Sequence, residues 1–246
     1  MKRTHMKTLV IIVAILIAVG IGFSVGTGFL CMLPQLMEDE LEHREFINEI
    51  IKLPEPRYDS ETSIEETLST RRSIRAYKDE PLTLAEVSQL LWAAQGITST
   101  ARGLRTAPSG GALYPLEAYV VIGNVESVTK GVYKYKPHEH ELVKVRDGDV
   151  RNELAAAALR QTCIGAGSIV IVFSAVYERT TRKYGDRGIR YVHIEVGHAA
   201  QNVFLQAVSL DLGTVVVGAF KDDKVKIILN MPNEEHPLYL MPVGKK

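Results

Sequence analysis

Arg71-Arg72-Ser73-Ile74-Arg75 places three guanidiniums and a hydroxyl within five residues. Arg offers forked donors that match phosphate oxygens, so the segment reads as a phosphate site; the plainer reading is a solvated basic stretch. A second run, Ala107-Pro108-Ser109-Gly110-Gly111-Ala112-Leu113-Tyr114-Pro115, carries two adjacent glycines directly before a predicted strand. Without a Cβ, that backbone can approach a flat ligand closely; otherwise it is a plain turn. In the third, Gly213–Phe220, a buried strand ends in Gly218-Ala219, whose N–H groups are free to point at a ligand edge. The fourth, Arg182–Arg187, sets the Lys183 ammonium beside the Tyr184 phenol. Both groups serve proton transfer if their pKa values are shifted, and a surface loop is the bland alternative.

These residues need elements to hold them. Ser63–Ser69 is predicted as a first helix leading into the basic segment. Thr83-Leu84-Ala85-Glu86 has the form of a capping box, with Val87, Leu90, Leu91 and Ala94 following at helical spacing and Gly96 as the stop. Ala118–Ile122 and Val132–Tyr135 read as strands, the latter pairing with Glu141–Val145 across the Pro137–His140 turn. Arg151–Arg160 is predicted helical and Ile169–Val176 a continuous apolar strand. Arg190–Leu210 is a long helix for which Gly213 suits the C-cap, and its Gly197, Ala199 and Ala200 permit close approach. Thr214–Val217 is a short buried strand, Asp222–Leu229 a helix and Leu238–Val243 a last strand. Hairpin-linked strands mixed with helices imply an α+β fold rather than a regular βαβ array.

Other signals are weaker. Gly165-Ala166-Gly167 precedes a strand and lacks a third glycine, so it is no Rossmann fingerprint. His138 and His140 fall in a turn, and His193 and His198 are five apart, off the i,i+4 spacing of a helical metal pair; no metal site is expected. His198 beside Gly197 reads as a tight helix contact, Cys163 as a buried small residue and Trp92 as core.

The chain has 246 residues with 29 basic and 29 acidic side chains. That balance argues against a dedicated nucleic-acid binder, and two cysteines are too few for a disulfide scaffold. No charge occurs from Thr8 to Met37. Thr8–Leu33 is long enough to cross a bilayer, which takes roughly 20 apolar residues. Lys2, Arg3 and Lys7 precede it and Glu38, Asp39, Glu40 and Glu42 follow. By the positive-inside rule this predicts a single-pass membrane protein with its domain outside the cytoplasm; the alternative is secretion after signal-peptide cleavage. Gly22-Phe23-Ser24-Val25-Gly26 matches a nucleophile elbow by accident, since a membrane span gives Ser24 no strand–turn–helix context. Ala14, Ala18, Gly22 and Gly26 would favour weak helix pairing. The expected organisation is an anchor or signal over residues 1–37, an acidic linker over 38–57 with a short helix in Glu38–Lys52, and a domain over 58–246.

The four chemical segments, in this order, resemble the nitroreductase superfamily of FMN flavoproteins. The R-R-S-x-R start, the P-S-G-G-A-L-Y-P loop, Gly197-His198-Ala199-Ala200-Gln201-Asn202 and Val217-Gly218-Ala219-Phe220 are most similar to its SagB-type branch, whose members oxidise azolines to azoles in ribosomal peptides. The likeness runs from Ser63 to Gly244. It implies a nitroreductase-like sandwich, a mostly antiparallel central sheet flanked by helices, here preceded by one transmembrane helix. It further implies a homodimer with FMN held by Arg71, Arg72, Ser73 and Arg75, and lined by Pro108, Ser109, Gly110 and Gly111 of the partner subunit. Gly218 and Ala219 would face the flavin N5–O4 edge, and Lys183 and Tyr184 would assist proton removal. NAD(P)H is the implied electron donor, and a small molecule or peptide the substrate. A flavin-binding redox sensor or partner subunit without turnover is the alternative. Nitroreductases often complete the phosphate site with a basic residue beyond the last strand; only Lys245 and Lys246 stand there.

Overall fold

The computed structural model describes residues 49–246, which fall within a compact unit spanning Glu45–Lys246. Seven strands form one sheet in the order β1-β6-β5-β4-β7-β9-β8. They are β1 (Ile50–Lys52), β4 (Leu116–Ile122), β5 (Gly131–Lys136), β6 (Glu141–Asp147), β7 (Ile169–Ala175), β8 (Leu212–Thr214) and β9 (His236–Lys245). Every neighbouring pair is antiparallel. A separate two-stranded piece pairs β2 (Ile97–Ser99) with β3 (Leu104–Arg105).

Alternation along the central strands explains the layers. Leu116, Ala118, Val120 and Ile122 of β4, with Ile169, Ile171 and Phe173 of β7, pack under α2 (Leu84–Gln95) and α6 (Arg187–Ser209). Tyr119, Val121, Val170 and Val172 face the other way. There they meet α3 (Arg151–Ala157), α4 (Thr162–Ala166) and α7 (Asp222–Ile228). A strand covered on both faces is apolar at nearly every position, and β7 is so except for the buried Ser174.

The capping box at α2 is present: Thr83 Oγ1 accepts the Glu86 N–H at 3.2 Å, and Glu86 Oε2 accepts the Thr83 N–H at 2.8 Å. Likewise, Ser63 caps α1 (Ile64–Thr70). Three readings are corrected. Gly213 is not the cap of α6, which closes at Leu210; it lies in β8, where a Cβ would come within 2.7 Å of Ile74. Arg151–Arg160 is not one helix, because Leu159 and Arg160 take positive φ and end α3. The described end of the expected acidic helix is strand: Ile50 and Ile51 pair with Val143 and Leu142 of β6, a placement suited to β-branched side chains.

The membrane expectation is also corrected. No helix among the described residues is long and apolar enough to cross a membrane, and Thr8–Leu33 lies outside the described residues, as do the Ser24 motif and the small-residue series. The α+β sandwich is observed, no transmembrane helix stands among the described residues, and the single-pass location outside the cytoplasm is withdrawn.

Candidate functional site

The basic segment runs beside β8, where the Ile74 N–H donates to the Thr214 carbonyl at 2.9 Å. Arg71 closes α1 and its guanidinium lies 5.2 Å above the Phe204 ring of α6. Arg72 donates to the carbonyls of Ser69 and Arg71. Arg72, Ser73 and Arg75 are exposed and Arg71 is half-buried. None of the three arginines has a carboxylate partner among the described residues. Four residues beyond Thr214, past the end of β8, the chain reaches Gly218 and Ala219. Val217 is bonded to Leu240 in both directions, but the exposed Gly218 and Ala219 N–H groups have no hydrogen-bond partner among the described residues.

The Pro108–Pro115 loop sits at the other end of α6. Gly111 has φ +69°, and a Cβ there would lie 2.7 Å from Tyr184 Oη and 3.1 Å from Lys183 Nζ. This close approach and left-handed backbone both call for glycine. Lys183 and Tyr184 end α5 (Glu178–Tyr184), a helix that no sequence signal announces. Tyr184 packs edge-on against Tyr191 of α6, and Tyr191 also borders Gly110. Lys183 is exposed and its Nζ stands 5.3 Å from the Tyr184 ring centroid.

One set of predicted residues is thus brought together, the glycine loop with Lys183–Tyr184, while the arginine segment is tied through Ile74 to Thr214 in the Gly213–Phe220 segment. Their contacts on α6, Phe204 and Tyr191, are 13 residues apart, about 20 Å along a helix. Lys245 and Lys246 join neither: Lys245 pairs with Glu86 at 2.5 Å and Lys246 with Asp211 at 2.9 Å. Burial works against the Glu86 carboxylate, yet the bonds from Lys245 and Thr83 hold it below its ordinary range. His198 is exposed rather than at a tight contact, and Trp92 is half-buried beside Tyr58.

A polar frame under the loop escaped the sequence reading. Arg179 of α5 donates to the Tyr114 carbonyl at 3.1 Å and pairs with Glu117 at 2.5 Å. Glu117 also meets Lys134, which meets the buried Glu235; Glu235 accepts from Tyr119 and Ser174. Arg105 donates to Gln95 and stacks 4.6 Å from the Tyr114 ring centroid. Glu195 of α6 is buried, and burial pushes its pKa up to about 7. The available signal was a lone carboxylate in the apolar series Val192, Val196, Ala199.

These features coincide with a family. The sequence model of the nitroreductase family matches residues 68–245, and the chain belongs to that family. It is 55% identical over 186 residues to the nitroreductase relative MJ1384 of Methanocaldococcus jannaschii, covering 76% of this chain and 92% of that one. The Microcin B17-processing protein McbC of Escherichia coli is 29% identical over 52% of this chain and 48% of its own. An FMN reductase (NADPH) of Bacillus subtilis is 24% identical over 73% of this chain and 64% of its own. A nitroreductase structure from Ralstonia eutropha superposes with TM-score 0.71 at 29% identity, covering 80% of this chain and 89% of that one. The protein is accordingly an oxidoreductase of the nitroreductase superfamily with flavin-dependent relatives.

Proposed function

We propose that the chain is an FMN-dependent dehydrogenase of the SagB type, working as a homodimer with two composite sites. The observation that carries this reading is the pair of half-sites about 20 Å apart on α6. A flavin bound at one half is completed by the other half of a second copy. The residues present fit the group. Three arginines without carboxylate partners suit a phosphate, and the unpartnered Gly218 and Ala219 N–H groups suit a ring edge rich in acceptors.

Bound there, FMN would supply two-electron hydride exchange at N5: in the dehydrogenase direction it would take hydride from the substrate and pass both electrons to an external acceptor such as dioxygen or a quinone, and in the reductase direction NAD(P)H would be the donor class. Arg71, Arg72, Ser73 and Arg75 would neutralise its phosphate and hold the ribityl chain. Gly218 and Ala219 orient the ring through main-chain N–H groups, and Pro108, Ser109, Gly110 and Gly111 of the second copy cover it. Lys183 Nζ accepts the substrate proton, and Tyr184 Oη donates to the developing anion or holds Nζ in place. The likeness to McbC supports a ring within a peptide as the substrate class. The test is direct: the full chain should purify yellow and release FMN on denaturation. Arg71→Ala with Ser73→Ala should weaken FMN by roughly ten- to a hundredfold, the scale of lost charge-assisted bonds. A well-folded colourless protein that ignores added FMN would refute the reading.

A further inference from the structure

The end of the glycine loop is held in a conformation that its residue type disfavours. Tyr114 has φ +45°, a left-handed backbone in which the Cβ crowds a carbonyl oxygen. A residue keeps such a conformation only where its surroundings over-determine it, and such positions cluster at functional sites. Four contacts hold this one. The Tyr114 N–H donates to Ser109 Oγ at 2.9 Å, and Tyr114 Oη accepts the Arg105 N–H at 3.2 Å. The Arg105 guanidinium stacks 4.6 Å from the ring centroid. The fourth contact comes from another element: Arg179 of α5 donates from Nη1 to the Tyr114 carbonyl at 3.1 Å. The other arm of the same guanidinium, Nη2, pairs with Glu117 Oε1 at 2.5 Å. Glu117 is itself fixed, because Lys134 holds its Oε2 at 3.2 Å and the buried Glu235 holds Lys134 at 2.5 Å.

The sheet explains why Arg179 can reach both. β4 and β7 are antiparallel neighbours, with Leu116 opposite Ala175 and the Val176 N–H bonded to the Pro115 carbonyl at 2.9 Å. The loop entering β4 therefore lies beside the helix leaving β7, and Arg179 bridges the two. Helix α5 has seven residues and no side-chain cap, too short to be held in place by its own hydrogen bonds. Arg179 and Lys183 are four residues apart, so they share one helix face. That face meets the loop twice: at Tyr114 through Arg179, and at Gly111, where a Cβ would lie 2.7 Å from Tyr184 Oη and 3.1 Å from Lys183 Nζ. We propose that Arg179 is a positioning residue that locks α5 to the Tyr114 end of the loop, so that Gly111, Lys183 and Tyr184 keep their places as one unit. Its consequence for proton transfer rests on the flavin reading above; the lock itself is a property of the chain alone. The lock needs a forked side chain, because two different nitrogens meet the carbonyl and the carboxylate at once. Lys, a single point charge, keeps one partner and loosens the other.

Native-state hydrogen exchange of the full chain reads the lock without any cofactor. Arg179→Met should speed exchange of the Ala112 and Tyr114 amides in the loop and of the Gly185 amide that closes α5 together. The expected factor is about ten- to a hundredfold, the scale of a lost charge-assisted bond. Amides of β4 and β7 should keep their wild-type rates, whereas a general loss of stability would speed them equally. Arg179→Lys should fall between wild type and Met, and it carries the same test should Arg179→Met fail to fold. Acceleration confined to only one of the two segments, uniform acceleration, or none at all would overturn the proposal. With an azoline-containing peptide as substrate, Arg179→Met should lower kcat by roughly ten- to a hundredfold, as a small misplacement of a reacting group does. In a Lys183→Ala background it should lower kcat no further, and an equal loss there would show that Arg179 does not act through Lys183. FMN titration of the same proteins separates the two readings. Local acceleration in a chain that ignores FMN supports the lock and refutes the flavin; FMN binding without local acceleration does the reverse.

Discussion

Gly111, Lys183 and Tyr184 meet at one point, and that contact makes their roles separable. In one chain Lys183 is exposed, so the desolvation that would make it a base has to come from the bound ligand and the second copy. Lys183→Ala and Tyr184→Phe should leave flavin content intact. Both should lower dehydrogenase turnover by roughly 10²–10⁴-fold, the range of lost acid–base help, yet spare reduction of a quinone or nitroarene. Equal loss in both assays would make the pair structural. Gly111→Ala acts differently, because a Cβ 2.7 Å from Tyr184 Oη must displace the phenol. It also costs about 1–2 kcal/mol for a left-handed Ala, so it should reduce both assays and thermal stability together. Glu195 adds a pH signature. Its folded pKa of about 7 lies above the ordinary carboxyl value, so the native state holds more protons than the unfolded one between about pH 4.5 and 7. Stability therefore falls as pH rises through that window, by on the order of 3 kcal/mol, and denaturant unfolding of Glu195→Gln should lose the decline.

Among the elements, those governed by local rules were legible from sequence and those governed by pairing were not. The Thr83–Glu86 box, the Ser63 cap and the 131–147 hairpin carry their own signals within a few residues. β1 and β8 have three residues each, too few for periodicity, and exist because β6 and β9 offer edges. Helix α5 was hidden because its charged sequence lacks a side-chain cap and an apolar stripe, and Arg179 fastens it from the side. The arginine, glycine-loop and Lys-Tyr segments stand out in the sequence because their residue types are unusual in themselves. Arg179, Arg105 and Glu195 were not, because only the fold makes them neighbours. The cap of α2 is itself tied to the last strand through Glu86 and Lys245. Thr83→Ala should cost about 1 kcal/mol, a melting shift of roughly 2–4 °C for a domain of this size. A larger shift, matched by Lys245→Met, would show that the ion pair couples the cap to β9.

At the scale of the whole molecule, the arrangement of α6 decides whether one copy is enough. Ala199 and Ala200 are already buried within the chain, so the close approach expected of them is used internally. Among the outward residues of α6, those without charge or polarity are Ile189, 43% exposed, Ile194, 50% exposed, and Gly197, where a Cβ would meet nothing within 4 Å. Positions 190, 194, 197 and 201 follow helical i, i+4, i+7 spacing, so Ile194 and Gly197 share a stripe. Ile64 and Leu68 of α1, each more than half exposed, add apolar surface near the arginine half-site. Apolar groups of this size on a long helix are stabilised by a partner surface, and the proposed second copy would also close the 20 Å gap between half-sites. Ile194→Glu would bury a charge in that contact while leaving the identity of every half-site residue unchanged, although Ile194 borders Pro108, Ser109 and Gly110 across one cleft. If the proposed dimer forms, light scattering should report it for the wild type and a monomer for the variant, and FMN should be lost in parallel although every proposed FMN-holding residue is unchanged. A monomeric Ile194→Glu variant that keeps its flavin at full affinity would mean that one chain holds the whole site.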